Sequence, residues 1–260
     1  MTEHKTGTRG EWLAARLGLL VEVTSPGERV VVVGGTSGMG AATVRAARRL
    51  GAEVVSAGRR PVAERNGVDG VHEVVVDSTD EASVRALFES VGELDHLLVT
   101  ASPGQSGVFL EQDLAHARTF MDGKFFGSWT CARYAAPLLR SRGSITFVTG
   151  GVVVRPSVGR SMITAAFAAV EALTRALAVE LGPRRVNAIR PGYTDSDFWT
   201  FLSDEEREKL RRRVAEGTPV RRLGTPEEVA QAAVFLMTCP QVTGTILEVN
   251  GGETLVNSVD

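Results

Sequence analysis

The chain has 260 residues, 43% of them hydrophobic and 23% charged, with a formal net charge of −2. That balance suits a single large unit with a buried core, and the near-neutral charge excludes an electrostatic case for nucleic acid or an anionic membrane surface as partner. Two cysteines, Cys131 and Cys239, and four scattered histidines offer no ligand cluster, so no metal site is expected.

Residues 1–28 read as an N-terminal extension, polar at first, then with helical apolar spacing over Glu11–Leu20 (Trp12, Leu13, Leu17, Leu20) before Pro26 and Gly27 break the chain. From Arg29 a regular alternation begins. Val30–Val33 is a β-branched run that fits a strand buried on both faces. A glycine-rich turn, Gly34–Gly40, leads into a helix over Ala41–Leu50 that Gly51 closes. Strands follow at Glu53–Ala57, Glu73–Val76 and His96–Thr100, with a helix at Glu81–Ser90. Leu114–Leu139 is mostly helical, Ser144–Thr149 a strand, Thr164–Leu181 a long helix, and Arg185–Ile189 a strand. Ser203 to Glu206 and Thr225 to Glu228 read as capping boxes opening two more helices, and Thr245–Val249 is the last strand. The rhythm predicts an α/β, Rossmann-type, doubly wound sheet of seven mainly parallel strands spanning 29–252, with a tail at 253–260. No run of about eighteen apolar residues and no signal-peptide layout are read in the chain, so a cytoplasmic protein with no membrane span is expected.

The segment Gly34-Gly35-Thr36-Ser37-Gly38-Met39-Gly40 lies between a strand and a helix, the context in which a glycine pattern indicates a dinucleotide site. Gly34 permits the sharp turn, and Gly38 and Gly40 let backbone amides and the helix N-terminus approach a pyrophosphate. A site for NAD places a carboxylate at the end of the second strand to hold the ribose 2′-hydroxyl. Here Arg59 and Arg60 stand instead, with bidentate donors that suit a 2′-phosphate, so NADP(H) is favoured over NAD(H). Two solvated surface arginines are the alternative.

These residues resemble the short-chain dehydrogenase/reductase family from about Arg29 to Gly252. The glycine turn is similar to the family's TGxxxGxG, with Val33 in place of threonine. Asp77, followed by Ser78, stands where the family holds the adenine amine, and Val99-Thr100-Ala101-Ser102 where it has NNAG. Val186-Asn187 through Pro191-Gly192 matches VNxxxPG, which by the resemblance brings Pro191, Gly192 and Thr194 to the nicotinamide. The runs Arg222–Ala230, Thr243-Gly244 and Asn250-Gly251-Gly252 match as well. The resemblance implies an oxidoreductase acting on a carbonyl or alcohol. It also implies a homodimer or homotetramer, built on the alanine-rich helix Thr164–Leu181.

The departures fall on the catalytic positions. The family's Tyr-x-x-x-Lys face carries Ile163 and Phe167, its serine falls at Gly150 with Thr149 as the nearest hydroxyl, and its helix asparagine falls at Lys124. Lys124 and Thr149 are the candidate catalytic groups, with water or the substrate as other proton sources. A surface lysine whose stem lies along apolar neighbours is the alternative for Lys124. Three readings stay open: a reductase with an atypical proton donor, a non-redox cyclase, isomerase or dehydratase that keeps its cofactor, and a silent NADP(H)-binding partner subunit. Phe198, Trp199, Phe201 and Leu202 fall in a substrate lid near 194–217, which points to a small hydrophobic or aromatic substrate, or else simply pack a helix. Asp195 is a candidate base or a solvated carboxylate, and Ser161 a cap for the long helix.

Overall fold

The computed structural model describes residues 27–60, 68–102, 107–196 and 202–256. The helix expected at Glu11–Leu20 and the aromatic residues Phe198, Trp199 and Phe201 lie outside the described residues.

Seven strands, β1 (Arg29–Val33), β2 (Glu53–Gly58), β3 (Val71–Val75), β4 (Leu94–Val99), β5 (Leu139–Val148), β6 (Arg185–Pro191) and β7 (Ile246–Val249), form one sheet in the order β3-β2-β1-β4-β5-β6-β7. Every neighbouring pair is parallel. The helices are α1 (Gly38–Arg49), α2 (Glu81–Val91), α3 (Leu114–Met121), α4 (Gly127–Ala135), α5 (Ser161–Glu180), α6 (Asp204–Gly217) and α7 (Pro226–Thr238). This is the doubly wound architecture expected from the alternating pattern.

The valine run explains itself. Successive strand side chains point to opposite faces, so Val31 and Val33 enter one core while Val30 and Val32 enter the other. The first core lies under α2, α4 and α5 and includes Leu87, Phe88, Cys131 and Val170; the second lies under α1 and α7 and includes Val44, Val229 and Leu236. The strand order reverses between β1 and β4, and the crevice beyond their carboxyl ends is the place where such sheets bind ligands.

Local chemistry sets the ends. Both capping boxes form: Ser203 and Glu206 open α6, and Thr225 and Glu228 open α7 with Pro226 in its first position. At the other end of α7 the Arg185 guanidinium donates to the carbonyls of Leu236 and Met237, both at 2.5 Å. Asn187 donates to Val242 O and accepts from Thr245 N–H, tying β6 to the approach to β7. β5 starts five residues before the expected Ser144, because its first turn of chain, Arg140–Arg142, is exposed and has no apolar run to mark it. Helix α5 begins at Ser161 and its N-cap is Arg160, without a side-chain cap, so Ser161 is not the cap it was expected to be.

Two features pass beyond the sequence reading. Helix α5 is long and apolar enough, by length and composition, to cross a bilayer, with mean hydropathy 1.6 over its best window. No such run was read in the sequence, because Glu171 and Arg175 interrupt the apolar residues. The helix packs inward through Ile163, Ala166, Val170 and Thr174, and on its outer side Ala165, Ala168, Ala172 and Val179 stay exposed among the described residues. The second feature is the chain after Gly252, expected to be a tail: Glu253–Leu255 form a 3₁₀ turn, and the side chain of Glu253 is buried.

Leu97 is fully buried at the centre of β4, so Leu97→Ala is expected to cost about 2–5 kcal/mol. Urea unfolding followed by circular dichroism measures this; a loss under 1 kcal/mol would mean the first core is not packed as described.

Candidate active site

The first turn is built by close approach. Gly34 has φ +90°, and its amide and that of Gly35 donate to Ala57 O at 2.8 and 3.2 Å, pinning β1 to β2. A side chain at Gly34 would run into Thr100 Oγ1, and one at Gly40 into the Gly34 carbonyl, so the two glycines let the turn fold onto its own helix. Thr100 donates to that same carbonyl at 3.1 Å. Gly58 leaves room for Thr36, whose methyl would lie 2.8 Å from a Cβ there.

Helix α1 therefore starts at Gly38 with its end exposed to a ligand. Its N-cap, Ser37, makes no side-chain cap, and no acid stands in the first turn. The free amides and the dipole of such an end favour an anion. Met39 turns its side chain into the second core, so only its backbone faces this end. A cleft of about 570 Å³ opens along Gly35, Thr36, Ser37 and Gly38, with Ser196 across from them. At the end of β2, Arg59 and Arg60 are exposed, and Arg59 acts on Asp77 through its charge. The Asp77 carboxyl is held below its ordinary value, first by the Thr79 N–H, then by the Thr79 hydroxyl. Ser78 lies under the first residue of α4, where Gly127 allows the approach: a Cβ there would sit 3.1 Å from Ser78 O. This cradle of glycines, an uncapped helix end and two arginines fits a phosphorylated dinucleotide.

The crevice beyond β4 and β5 holds Lys124. It sits in a π-helical turn, Asp122–Phe126, between α3 and α4, a conformation frequent at functional sites. Its side chain is 1% exposed and is not a surface lysine. Nζ donates to Val148 O at 2.6 Å and Ala101 O at 3.1 Å, and lies 5.2 Å from the centre of the Phe167 ring. No carboxylate pairs with it among the described residues. Burial without a counter-charge brings its pKa down to about 7. The thiol of Cys131, also buried, is pushed up to about 12 and stays protonated.

The wall expected from the two lost catalytic positions is apolar. Ile163 packs with Phe120 and Ala166, and Phe167 joins that cluster from one helical turn on. The Phe167 ring lies on Gly150, where a Cβ would be 2.9 Å from it, so the serine of the family could not stand there unchanged. Thr149 is buried, and its hydroxyl donates to Glu171 Oε1 at 3.0 Å and approaches Ile189 O at 3.3 Å. Neither tyrosine replaces the missing one, since the hydroxyl of Tyr134 donates to Glu81 and that of Tyr193 accepts from Arg213.

On the far side, Gly192 donates to Val249 O at 3.0 Å, directly after Pro191 ends β6. Thr194 is buried, donates its hydroxyl to Gly192 O at 3.1 Å, and bridges to Gly224. Asp195, a candidate base, pairs with Arg211 at 3.1 Å.

Two sets of residues escaped sequence reasoning. One is a buried ionic chain: Arg190 holds both oxygens of Glu171 at 2.9 and 2.6 Å and reaches Glu248 at 2.5 Å. The signal existed, because Glu171 continues the Ile163–Phe167 helical face and a carboxylate in an apolar stripe needs a partner. The other is Glu253. Its Oε2 accepts from Tyr193 N–H at 3.2 Å, and its Oε1 lies against Gly151. An acid directly after the Gly251-Gly252 pair was the only sign.

Residues 33–254 match the family model described as enoyl-(acyl carrier protein) reductase. The chain is 32% identical over 252 residues to the short-chain dehydrogenase/reductase ATR9 of Stachybotrys chlorohalonatus, covering 89% of this chain and 99% of that one. It is 36% identical over 249 residues to the cis-4-hydroxycyclohexanecarboxylate dehydrogenase of Sinomonas cyclohexanicum, covering 88% and 98%. A solved small-chain dehydrogenase in complex with NADPH superposes with TM-score 0.76 at 31% identity, covering 88% and 99%.

The lowered pKa of Lys124 carries a sign. The folded chain gives up this proton near pH 7 while the unfolded chain keeps it to about 10.4. Between those values the unfolded state binds more protons, so this residue makes stability rise with pH. Relative to the wild type, Lys124→Met is therefore expected to be at its most favourable below pH 7 and to lose ground steadily toward pH 10. Thermal melts of both proteins across that range check it, and parallel curves would contradict an uncompensated buried amine.

Proposed function

The chain belongs to the short-chain dehydrogenase/reductase family, and from that premise we propose that it is an NADP(H)-dependent oxidoreductase acting on the carbonyl or alcohol of a small hydrophobic substrate. The observation that carries the reading is the acid-free start of α1 behind Gly34, joined to Arg59 and Arg60 where a site for NAD would hold a carboxylate. A bound reduced nicotinamide supplies hydride; the protein supplies position and charge.

In this reading Gly34, Thr36, Ser37, Gly38, Met39 and Gly40 seat the pyrophosphate, chiefly through backbone amides. Arg59 and Arg60 hold the 2′-phosphate, Asp77 and Ser78 meet the adenine, and Ala101, Pro191, Gly192 and Thr194 frame the nicotinamide. Lys124 takes over the charge that the helix lysine gives in the family. Its amine is anchored on two carbonyls beside the ring of Phe167, at a pKa from which it can act as a cation or a neutral donor. Thr149 serves as a positioning residue through Glu171. Residues near 194–217 act as the lid over an apolar substrate. The uncovered apolar side of α5 suits a second copy of the chain, giving a homodimer or homotetramer.

The apolar wall also favours a second reading, a non-redox rearrangement shaped by the pocket. Incubation with NADPH and a panel of hydrophobic ketones and quinones separates the two. Alcohol formed with matching loss of NADPH supports reduction; product without net NADPH oxidation supports the rearrangement; binding without turnover would leave a silent partner subunit.

Arg59→Ala combined with Arg60→Ala is expected to weaken NADPH binding by about 10- to 100-fold, the worth of one or two charge-assisted hydrogen bonds, with little effect on NADH. Nicotinamide fluorescence titrations decide this. Equal weakening of both cofactors would show that the arginines do not read the 2′-phosphate.

A further inference from the structure

The apolar wall leaves the carbonyl oxygen of a substrate without the tyrosine that would protonate it, and the polar groups at this edge of the sheet can be taken in turn. Thr149 gives its hydroxyl to Glu171. Glu171 is held through both oxygens by Arg190, and Glu248 is taken by Arg190, Asn250 and Thr254. Asp195 pairs with Arg211. The hydroxyls of Tyr134 and Tyr193 are engaged with Glu81 and Arg213. Each of these acids and hydroxyls has a partner of its own.

Glu253 differs. Its side chain reaches back from the turn after β7 into a notch formed by two glycines. A Cβ on Gly192 would come within 2.5 Å of Oε2, and one on Gly151 would run into Oε1. The carboxyl thus fits only because both neighbours lack side chains, and it spans from the loop after β5 to the loop after β6. Gly151 directly follows Gly150, under the Phe167 ring, and Gly192 follows Pro191. Oε2 is fixed by the Tyr193 N–H, while Oε1 takes no hydrogen bond among the described residues. The residue is only 7% exposed.

We propose that Glu253 is the acid that protonates the substrate oxygen, entering the site from the C-terminal segment rather than from the helix that carries the family's tyrosine. The proposal rests on the reductase reading above. In reduction, the carbonyl carbon gains a hydride whose electron pair comes from NADPH. The π pair of the C=O bond takes the O–H proton of the Glu253 carboxyl. The products are the alcohol, NADP⁺ and the Glu253 carboxylate, which recovers its proton from water; oxidation runs the same transfers in reverse.

The surroundings suit that role. Burial raises the carboxyl above its ordinary value, and Glu248 from β7 adds to the rise, so the acid form is available nearer neutrality. The Tyr193 N–H and the charge of Arg155 oppose it. Arg155 donates to the backbone carbonyl of Glu253, which anchors the turn without neutralising the side chain.

Two measurements test it. Dicyclohexylcarbodiimide, an apolar reagent that attacks protonated carboxyls, is expected at pH 6.5 to label the peptide containing Glu253 ahead of the surface carboxylates, and to leave that peptide unlabelled in Glu253→Gln. In turnover of any ketone that the wild type reduces, Glu253→Gln is expected to lower kcat by about 10²–10⁴-fold, the usual effect of losing a general acid, with NADPH binding unchanged. Glu253→Asp should recover part of the rate with a displaced pH profile. Absence of carbodiimide labelling at Glu253, or a Glu253→Gln protein with wild-type kcat and pH profile, overturns the assignment and leaves the reductase reading standing. Failure of the wild type to oxidise NADPH with any carbonyl removes the reductase reading itself, and the proton role with it.

Discussion

Seven parallel strands deliver their carboxyl ends to one edge, and the site follows from what that edge lacks. The last carbonyls of parallel strands point beyond the sheet with no further strand to satisfy them, and buried acceptors need donors. Val148, the last residue of β5, receives its donor from Lys124, which also reaches Ala101 two residues past the end of β4, while Ile189 O within β6 is met by the Thr149 N–H and hydroxyl. The polar side chains at the crevice are therefore structural partners of the strand ends before they are anything else. Function is then added by whichever of them retains a proton to exchange or a lone pair to spare.

Charge divides these groups into two kinds. Arg190, Glu171 and Glu248 form an ion-paired set that ties α5 to β6 and β7, and removing Arg190 would leave the Glu171 carboxylate buried without its partner, at a cost of about 3–5 kcal/mol. Among the described residues Lys124 has no carboxylate partner and Glu253 forms no ion pair, Arg155 acting on it through its charge alone, and their proton affinities move toward neutrality from opposite sides. An uncompensated buried ionisable group weakens a fold, so its presence at a ligand crevice is a sign of use. The compensated set lies directly behind Thr149 and gives the crevice a rigid back. Lys124 lies against Ala101 and Val148, and Glu253 against Gly151 and Gly192, in the loops that follow β4, β5 and β6.

Much of this was legible in the sequence. The valine run of β1, the glycine turn, both capping boxes and the strand–helix alternation each follow from local rules, and together they account for the sheet and for the open start of α1. The loss of the Tyr-x-x-x-Lys face was legible too, as Ile163 and Phe167 at a spacing of four. What could not be read was the partner of each polar side chain. Lys124 lies 24 residues from Val148, and Arg190 lies 58 from Glu248. No periodicity links such pairs; only the folded sheet brings them together. Glu253 was hidden for a related reason, because its place is set by the absence of side chains at Gly151 and Gly192, which nothing local to residue 253 reveals.

The π-helical turn at Asp122–Phe126 has a bearing on how such a site can change over time. In an unbroken α-helix every residue advances the azimuth by about 100°, so the direction of residue 124 would be locked to the faces that α3 and α4 show the core. One wider turn uncouples them. Position 124 can exchange an amide for an amine, short for long, while Phe120 and Cys131 keep their bearings on either side. The turn works as a swivel between two helical segments, and it frees position 124 to differ in chemistry while the helices on either side keep their packing.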